Sequence, residues 1–202
     1  MHSRHPASTF NPAIQGWSLT VTPGQWQVCE SGTHLTATLA STIALIIHDS
    51  ANQRLALANF MVEPTAPNTW NNSQHSNSHP SPHADALLAD MWQALKPPPE
   101  EGALPKLSGN VVGGAHLKIN GQPFLGQANS MKAVDWLHQK GIPLAHYDVG
   151  LTSVRTIYAC ATTGKVITTR STLNASLLAA EESYLTRLTN PNANPNSNPN
   201  QQ

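Results

Sequence analysis

The stretch that decides the fold is Leu35-Thr36-Ala37-Thr38-Leu39-Ala40-Ser41-Thr42-Ile43-Ala44-Leu45-Ile46-Ile47-His48-Asp49. Its second half, Ile43 to His48, is a continuous β-branched and aliphatic run, which is typical of a strand buried on both faces. The nearly apolar run from Ala37 to Ile47 is too short to cross a bilayer and contains three hydroxyl side chains. We therefore expect a buried strand, and no membrane insertion.

Further strands are predicted on both sides of this stretch, because β-branched and aromatic residues recur in short runs between turn residues. The runs are Trp17 to Thr22, Trp26 to Cys29, Leu55 to Met61 and Val154 to Ala159. Asn120-Gly121 and Thr163-Gly164 are the strongest hairpin-turn signals. Strands therefore make up most of the predicted core.

Three helices are predicted from apolar residues that recur every three or four positions. The first has the stripe Ala84, Leu87, Leu88, Met91, Trp92 and Leu95 and stops at Pro97-Pro98-Pro99. The second runs from Ser130, as N-cap, to Lys140, with Gly141 after its end and Met131, Val134 and Leu137 facing inward. The third runs from about Ala175 to Leu188, with Leu177, Leu178, Tyr184, Leu185 and Leu188 as its stripe. The pattern is that of a mixed α/β domain.

One domain is expected over residues 17–189. Residues 1–16 and 190–202 are rich in Asn, Pro, Ser and His and lack periodicity, so we predict solvated tails. Residues 65–82 have a similar composition and are predicted to form a long mobile loop.

Composition excludes several classes of function. The 202 residues include 11 Lys plus Arg and 11 Asp plus Glu, so nothing in the net charge favours nucleic acid or an anionic membrane. The opening residues have no apolar segment behind them, so no secretory signal is expected and the expected compartment is the cytoplasm. Cys29 and Cys160 are the only cysteines, and two such thiols are more often small interior hydrophobes than a disulfide.

The opening stretch and the segment Ala58-Asn59-Phe60-Met61-Val62-Glu63-Pro64 together carry a resemblance. They resemble the CheD family, the chemoreceptor glutamine deamidases of bacterial chemotaxis. In that family a T-L-G-L-G-S-C-V-A-V segment contains the nucleophilic cysteine, and an H-F-M-L-P segment supplies the base histidine seventeen residues later. By this match, Thr36 stands at the catalytic threonine, Thr42 at the cysteine and Asn59 at the histidine.

The second half of the chain extends the resemblance to about Trp17 to Ser171. The matching elements are Leu107 to His116, which contains Gly113 and Gly114; Gly126 and Asn129; Gly141-Ile142-Pro143; Asp148-Val149-Gly150; Arg155; and Thr163 to Val166. The departures are Asn110 for a lysine, Leu151 for the second glycine of an Asp-x-Gly-Gly turn, and Ala37 and Ala40 for two glycines. They indicate a divergent member.

The resemblance implies a CheD-like fold, in which strands pack as a layered mixed sandwich with flanking helices, related to glutamine-deamidating toxins. It also implies partners, namely the cytoplasmic helical bundle of methyl-accepting chemoreceptors and a CheC-type response-regulator phosphatase.

The chemistry of amide hydrolysis is incomplete at these positions. A thiol enzyme needs a thiolate, an imidazole and a group that orients the imidazole, and only Thr36 fills its position. In a serine protease, losing the nucleophile or the base alone costs about 10⁶ in kcat, so either substitution is sufficient to abolish turnover. The preferred hypothesis is a pseudoenzyme whose pocket survives for binding through Ser41, His116, Gly113 and Gly114. An equally compatible alternative is that Thr42 and Asn59 only satisfy each other or the backbone.

Two other functions stay open. One is an active deamidase in which Ser41 or Thr42 is the nucleophile and His34, His48 or His116 the base. The other is a repurposed scaffold with no role in chemotaxis. No cofactor or metal is expected: His75, His79 and His83 have helical spacing, but Pro80 and Pro82 argue against a helix, and a solvated loop explains them.

Overall fold

The structure is a computed structural model that describes residues 8–12, 14, 16–64, 81–96, 106–119 and 125–190. Within these ranges it has ten strands and three helices. The strands are β1 Thr9–Asn11, β2 Gly16–Thr20, β3 Gln25–Glu30, β4 Thr33–Leu39, β5 Ile43–Asp49, β6 Arg54–Phe60, β7 Leu107–Gly113, β8 Leu144–Val149, β9 Val154–Cys160 and β10 Val166–Ser171. The helices are α1 Pro82–Leu95, α2 Leu125–Gln139 and α3 Ala175–Thr189. None of the described helices is long and apolar enough to span a membrane.

The strands form two mixed sheets of five strands each. The first sheet has the order β1-β2-β4-β9-β10, in which only β2 and β4 pair in parallel. The second sheet has the order β3-β6-β5-β7-β8, in which only β7 and β8 pair in parallel. This arrangement confirms the predicted mixed sandwich with flanking helices.

Strand β5 is the centre of the second sheet and is buried on both faces, as predicted. Ala44 and Ile46 pack between the two sheets, against Leu35, Leu39 and Ile157 of the first sheet. Ile43, Leu45 and Ile47 pack on the opposite face, against α1 and α2. Because side chains alternate along a strand, one aliphatic run supplies both layers of the core.

Helix α3 packs separately from these two layers. Tyr184, Leu185 and Leu188 form a small cluster with Met61, Ile119 and Leu125. Met61 follows β6, Ile119 lies after β7, and Leu125 begins α2. Burial raises the pKa of the Tyr184 hydroxyl to about 12. The helix therefore rests on connecting segments rather than on the face of a sheet.

Several predicted boundaries differ from the structure. Residues Thr9–Asn11 pair with β2, which itself begins at Gly16, so these four residues form strand where the sequence predicts a tail over 1–16. Residues 65–80, the Asn120-Gly121 turn and residues 191–202 lie outside the described residues. The predicted loop ends early, because Ser81 is buried and Pro82 begins α1. The Thr163-Gly164 turn is confirmed, since β9 and β10 pair in antiparallel fashion around it.

Helix α2 starts five residues before the predicted N-cap. Ser130 lies inside the helix, where its hydroxyl donates to the Gly126 carbonyl at 2.6 Å. Met131 is 49% exposed, so its predicted inward orientation is wrong, and Ala133, Trp136 and Leu137 form the buried face. Gly126 is small and Asn129 is polar, so apolar periodicity does not predict the first turn of α2.

Both cysteines are free thiols, as expected. Burial raises the pKa of Cys29 to about 12, so its thiol stays protonated at neutral pH. For Cys160, burial acts in the same direction, but hydrogen bonds with Thr163 and Thr162 outweigh it and lower the pKa.

Leu151 occupies the position of a family glycine, and its backbone retains a glycine-like conformation with φ of 58°. A left-handed conformation costs a non-glycine residue about 1–2 kcal/mol. Replacement by glycine removes this cost but lowers stability by about 0.4–1 kcal/mol, because glycine increases the conformational entropy of the unfolded chain. We expect Leu151→Gly to raise the free energy of unfolding by about 0.5–1 kcal/mol, measured by urea denaturation. Leu151→Ala is the control and should give no comparable gain, because it keeps the strain. A loss of stability in Leu151→Gly would contradict this assignment.

Candidate functional site: the loop of residues 40–42

The loop of residues 40–42 joins β4 to β5 and contains the position that matches the family nucleophile. A turn after β7 holds it from one side: Ala115 N donates to Ala40 O at 2.7 Å and Gly114 N donates to Thr42 O at 2.8 Å. Gly113 has φ of 115°, and a Cβ there would lie 2.5 Å from Thr42 O. The close approach therefore requires glycine at this position.

Asn129 of α2 holds the loop from a second side. Its Nδ2 donates to Ser41 O at 2.7 Å, and its Oδ1 accepts from Val62 N at 2.7 Å. Asn129 is fully buried. The carbonyls of all three loop residues thus have protein partners, as buried carbonyls require.

Glu181 of α3 binds the amides of the same loop. Its Oε1 accepts from Ala40 N at 2.9 Å and from Thr42 N at 3.1 Å, and its Oε2 accepts from Ser41 N at 2.8 Å. The Ser41 and Thr42 hydroxyls donate to the same carboxylate, at 2.5 Å and 2.9 Å. Ser41, Thr42 and Glu181 each have an exposed fraction of 0%. Five donors therefore surround one carboxylate that is sealed from solvent.

These donors replace a cation as the compensation for the Glu181 charge. The salt bridges among the described residues do not include Glu181. Successive backbone N–H groups that converge on one point form an anion-binding concavity, and hydrogen bonds to an ionised group are stronger than neutral ones. The loop is therefore built to hold an anion with two oxygens.

Asn59 lies on the same side of β5 and β6 as Thr42. Asn59 pairs with Ala44, and Thr42 precedes Ala44 by two residues, so the alternation of side chains makes the two positions diagonal neighbours. The Asn59 Nδ2 donates to Val21 O at 3.0 Å, whereas its buried Oδ1 has no partner among the described residues. The two substituted positions thus do not satisfy each other: Thr42 binds Glu181 and Asn59 binds the backbone.

Thr36 and Asn59 are linked through the main chain of Val21. Val21 N donates to Thr36 O at 2.8 Å, and Val21 O accepts from the Asn59 side chain. The Thr36 neighbours Leu35 and Ala37 face the core between the sheets, so the Thr36 side chain lies on the opposite face of β4.

His116 lies apart from the sealed loop. The residue is exposed, its N donates to Leu151 O at 2.6 Å, and its ring lies beside Gly150. The structure therefore brings together Ser41, Thr42, Gly113, Gly114 and, by register, Asn59, but it places the His116 ring elsewhere.

Of the three histidines with helical spacing, His83 lies within the described residues. His75 and His79 lie outside the described residues. His83 lies in the first turn of α1, so Pro82 begins a helix here rather than preventing one. The His83 Nδ1 lies 2.6 Å from Glu63 Oε1, and Glu63 also contacts Ser81 and thereby holds the start of α1.

Glu181, the main acceptor of the site, is not among the residues predicted from the sequence. A signal was present: Glu181 lies on the apolar stripe of α3, three residues before Tyr184 and four before Leu185. A charged residue on the buried face of a helix requires buried partners, and this requirement could have marked it.

The fold and the loop define a class of protein: a mixed two-sheet α/β domain with a backbone anion site at a strand connection. A family model described as CheD chemotactic sensory transduction matches residues 66–170, just over half of the chain. The chain belongs to the CheD family. No match was found among curated proteins.

The matched segment contains only part of the site. It includes Gly114, Ala115 and Asn129, which donate to the carbonyls of the loop, and Gly113, which allows their close approach. It begins after Asn59 and ends before α3, so the loop and Glu181 both lie outside it.

Proposed function

We propose that this CheD-family chemotaxis protein has lost glutamine deamidase activity and acts by binding. The observation that supports this most is the sealed loop, in which the hydroxyl at the nucleophile position donates to a buried carboxylate. Asn59, at the base position, cannot accept a proton at neutral pH. The pseudoenzyme hypothesis therefore draws support from geometry as well as from the two substitutions.

Occupation of the loop amides adds a second obstacle to catalysis. Acyl-transfer enzymes need free N–H groups near the nucleophile to stabilise the developing oxyanion. Here the amides of Ala40, Ser41 and Thr42 already donate to Glu181. A substrate amide would have to displace this carboxylate before any reaction.

The alternative is an active amidohydrolase with a hydroxyl nucleophile. One observation favours it: the Ser41 hydroxyl donates to Glu181 at 2.5 Å, and a carboxylate can act as a general base. Against it, both groups are fully buried and the loop amides are occupied. His116 lends it no support, since its ring lies beside Gly150.

The partners that fit this proposal are the cytoplasmic helical domain of a methyl-accepting chemoreceptor and, second, a CheC-type phosphatase. Both would place the protein in the cytoplasm. This partner assignment rests on membership of the family.

The test compares three proteins: the unmodified chain, Thr42→Cys/Asn59→His, and the same double variant with Glu181→Gln. Each is incubated with a glutamine-bearing chemoreceptor cytoplasmic fragment, and conversion of amide to acid is followed by mass spectrometry. We expect no turnover by the unmodified chain. We expect the triple variant to exceed the double variant by about 10²-fold, because freed oxyanion donors are worth about that much in kcat.

Deamidation by the unmodified chain would sink the pseudoenzyme proposal and favour a hydroxyl nucleophile at Ser41 or Thr42. Binding of the same receptor fragment is measured in parallel by calorimetry. Failure of the unmodified chain to bind the fragment would count against the chemoreceptor as partner.

A further inference from the structure

Helix α3 is a self-contained helix that presents one carboxylate to the loop of residues 40–42. The Asn174 side chain accepts from Leu177 N at 2.8 Å and caps its start, and Asn190 N donates to Thr186 O at its end. Both caps lie within or beside α3, so the helix does not depend on the sheets for its own termini. Its buried residues are Glu181, Tyr184, Leu185 and Leu188.

The attachment of α3 to the domain is local. Apart from Glu181, its buried side chains join the small cluster with Met61, Ile119 and Leu125, and Tyr184 also lies against Gly24 in the connection before β3. The two larger clusters, which hold the sheets together, contain no residue of α3. Small satellite clusters of this kind open at a lower cost than the main core. Release of α3 would therefore leave both sheets packed.

The loop selects a carboxylate over an amide. Fixed backbone donors point at both Glu181 oxygens, Ala40 N and Thr42 N at Oε1 and Ser41 N at Oε2. An amide in the same place would direct its NH₂ group at one of these N–H donors in either orientation. Hydroxyls could rotate to accept, but backbone donors cannot.

From these contacts we propose that the loop of residues 40–42 is a recognition site for a glutamate carried on an amphipathic helix. In this structure α3 is its tethered occupant. A partner helix with a glutamate followed by apolar residues at the third, fourth and seventh positions, the spacing of Glu181, Tyr184, Leu185 and Leu188, displaces α3 and takes its place. This proposal rests on the proposed binding function only in naming a helical protein as the partner.

The tether makes the site appear closed to a competitor. Only residues 172–174 separate β10 from α3, and a short linker gives an effective concentration in the millimolar range. A free helix of equal intrinsic affinity therefore competes poorly at micromolar concentration. Weakening the tethered contact should open the site.

The experiment uses a fluorescein-labelled peptide with the sequence of residues 174–190 as the probe. It is titrated by fluorescence anisotropy into three full-length proteins: the unmodified chain, Glu181→Gln, and Glu182→Gln as the matched control that loses the same charge one position away. A second peptide carries glutamine in place of Glu181. We expect Glu181→Gln to bind the glutamate peptide at least tenfold more tightly than the other two proteins do. We expect the glutamine peptide to bind the Glu181→Gln protein at least tenfold more weakly than the glutamate peptide does.

Hydrogen exchange is measured on the unmodified chain, so this readout does not require the Glu181→Gln variant to fold. In the unmodified chain, millimolar glutamate peptide should speed exchange in α3 while β5 and β6 stay protected, and the glutamine peptide should not. This arm decides the matter if Glu181→Gln fails to fold. Equal effects of the two peptides, or none on α3, would overturn the proposal.

The chemoreceptor fragment separates this proposal from the proposed function. Binding of the fragment to the unmodified chain with no change in α3 exchange would leave the proposed function intact and overturn the displacement of α3. Faster hydrogen exchange in α3 on addition of the glutamate peptide, without binding of the fragment, would retain the helix site and remove the chemoreceptor as partner.

Discussion

Replacing Gly126 with alanine is expected to lower the free energy of unfolding by about 4 kcal/mol or more. A Cβ at this position would lie 2.2 Å from Gly114 O and 2.5 Å from Ala115 O. Both neighbours are backbone atoms, so neither can move away as the end of a side chain can. Helix propensity acts in the opposite direction, because alanine gains about 1 kcal/mol over glycine inside a helix. The steric term is several times larger and sets the sign.

Gly109→Ala is the matched control, since it adds the same methyl group to a glycine of β7 in the second sheet. The atoms nearest to its Cβ would belong to the side chain of Leu137, at 2.6 Å, and a flexible side chain can shift. We expect a loss of about 1–3 kcal/mol there. Both variants are measured by denaturant unfolding followed by tryptophan fluorescence. Equal losses in the two would show that α2 does not approach the turn as closely as described.

The effect of Gly126→Ala should reach the loop of residues 40–42. Gly114 and Ala115 are the residues whose amides hold Thr42 and Ala40, and Asn129, one turn along α2, holds Ser41. The glycine and asparagine of the family element thus have distinct physical roles. The first allows close packing, and the second supplies hydrogen bonds.

The layers of the fold were predictable where a local pattern of apolar residues is compatible with only one mode of burial. The run from Ile43 to Ile47 could be buried only on both faces, and the stripe from Ala84 to Leu95 could face only one way. Both predictions agree with the structure. The start of α2 was not predictable in this way, because its first turn is held by Gly126 against the turn at Gly114 rather than by apolar periodicity.

The site was half predictable for a related reason. Thr42, Asn59, Gly113 and Gly114 could be placed by matching family segments, and the register of β5 with β6 and β7 brings them together. Glu181 could not be placed, because its hydrogen bonds join residues about 140 positions apart and no local pattern records such a distance. Its position on the α3 stripe predicts burial but not the partner.

Replacing Arg155 with methionine should lower the free energy of unfolding by about 3–5 kcal/mol, the usual cost of removing one member of a buried ion pair. Arg155 has an exposed fraction of 0%. Its Nε and Nη2 donate to Asp148 Oδ1 at 3.1 and 3.0 Å, and its Nη1 donates to Gly150 O at 2.9 Å. Methionine fills much of the volume but removes these three hydrogen bonds, so Gly150 O loses this donor and Asp148 keeps its contact with Arg170.

Arg170→Met is the control, because Arg170 binds the same carboxylate at 2.8 Å from a side chain that is 51% exposed. Exposed ion pairs contribute about 1 kcal/mol or less. Denaturant unfolding of both variants should therefore separate them clearly. Equal losses would mean that solvent reaches Arg155 and screens its charge.

The dependence of stability on pH provides an independent check. Burial alone would raise the pKa of Asp148, but the hydrogen bonds and charges of Arg155, and then those of Arg170, outweigh it and lower the pKa. A carboxyl whose pKa is lower in the folded state contributes stability above its unfolded pKa of about 3.9, and this contribution is lost as the pH falls below that value. The unmodified chain should thus lose more stability than Arg155→Met between neutral pH and about pH 3. Parallel pH profiles for the two proteins would show that Arg155 does not govern the ionisation of Asp148.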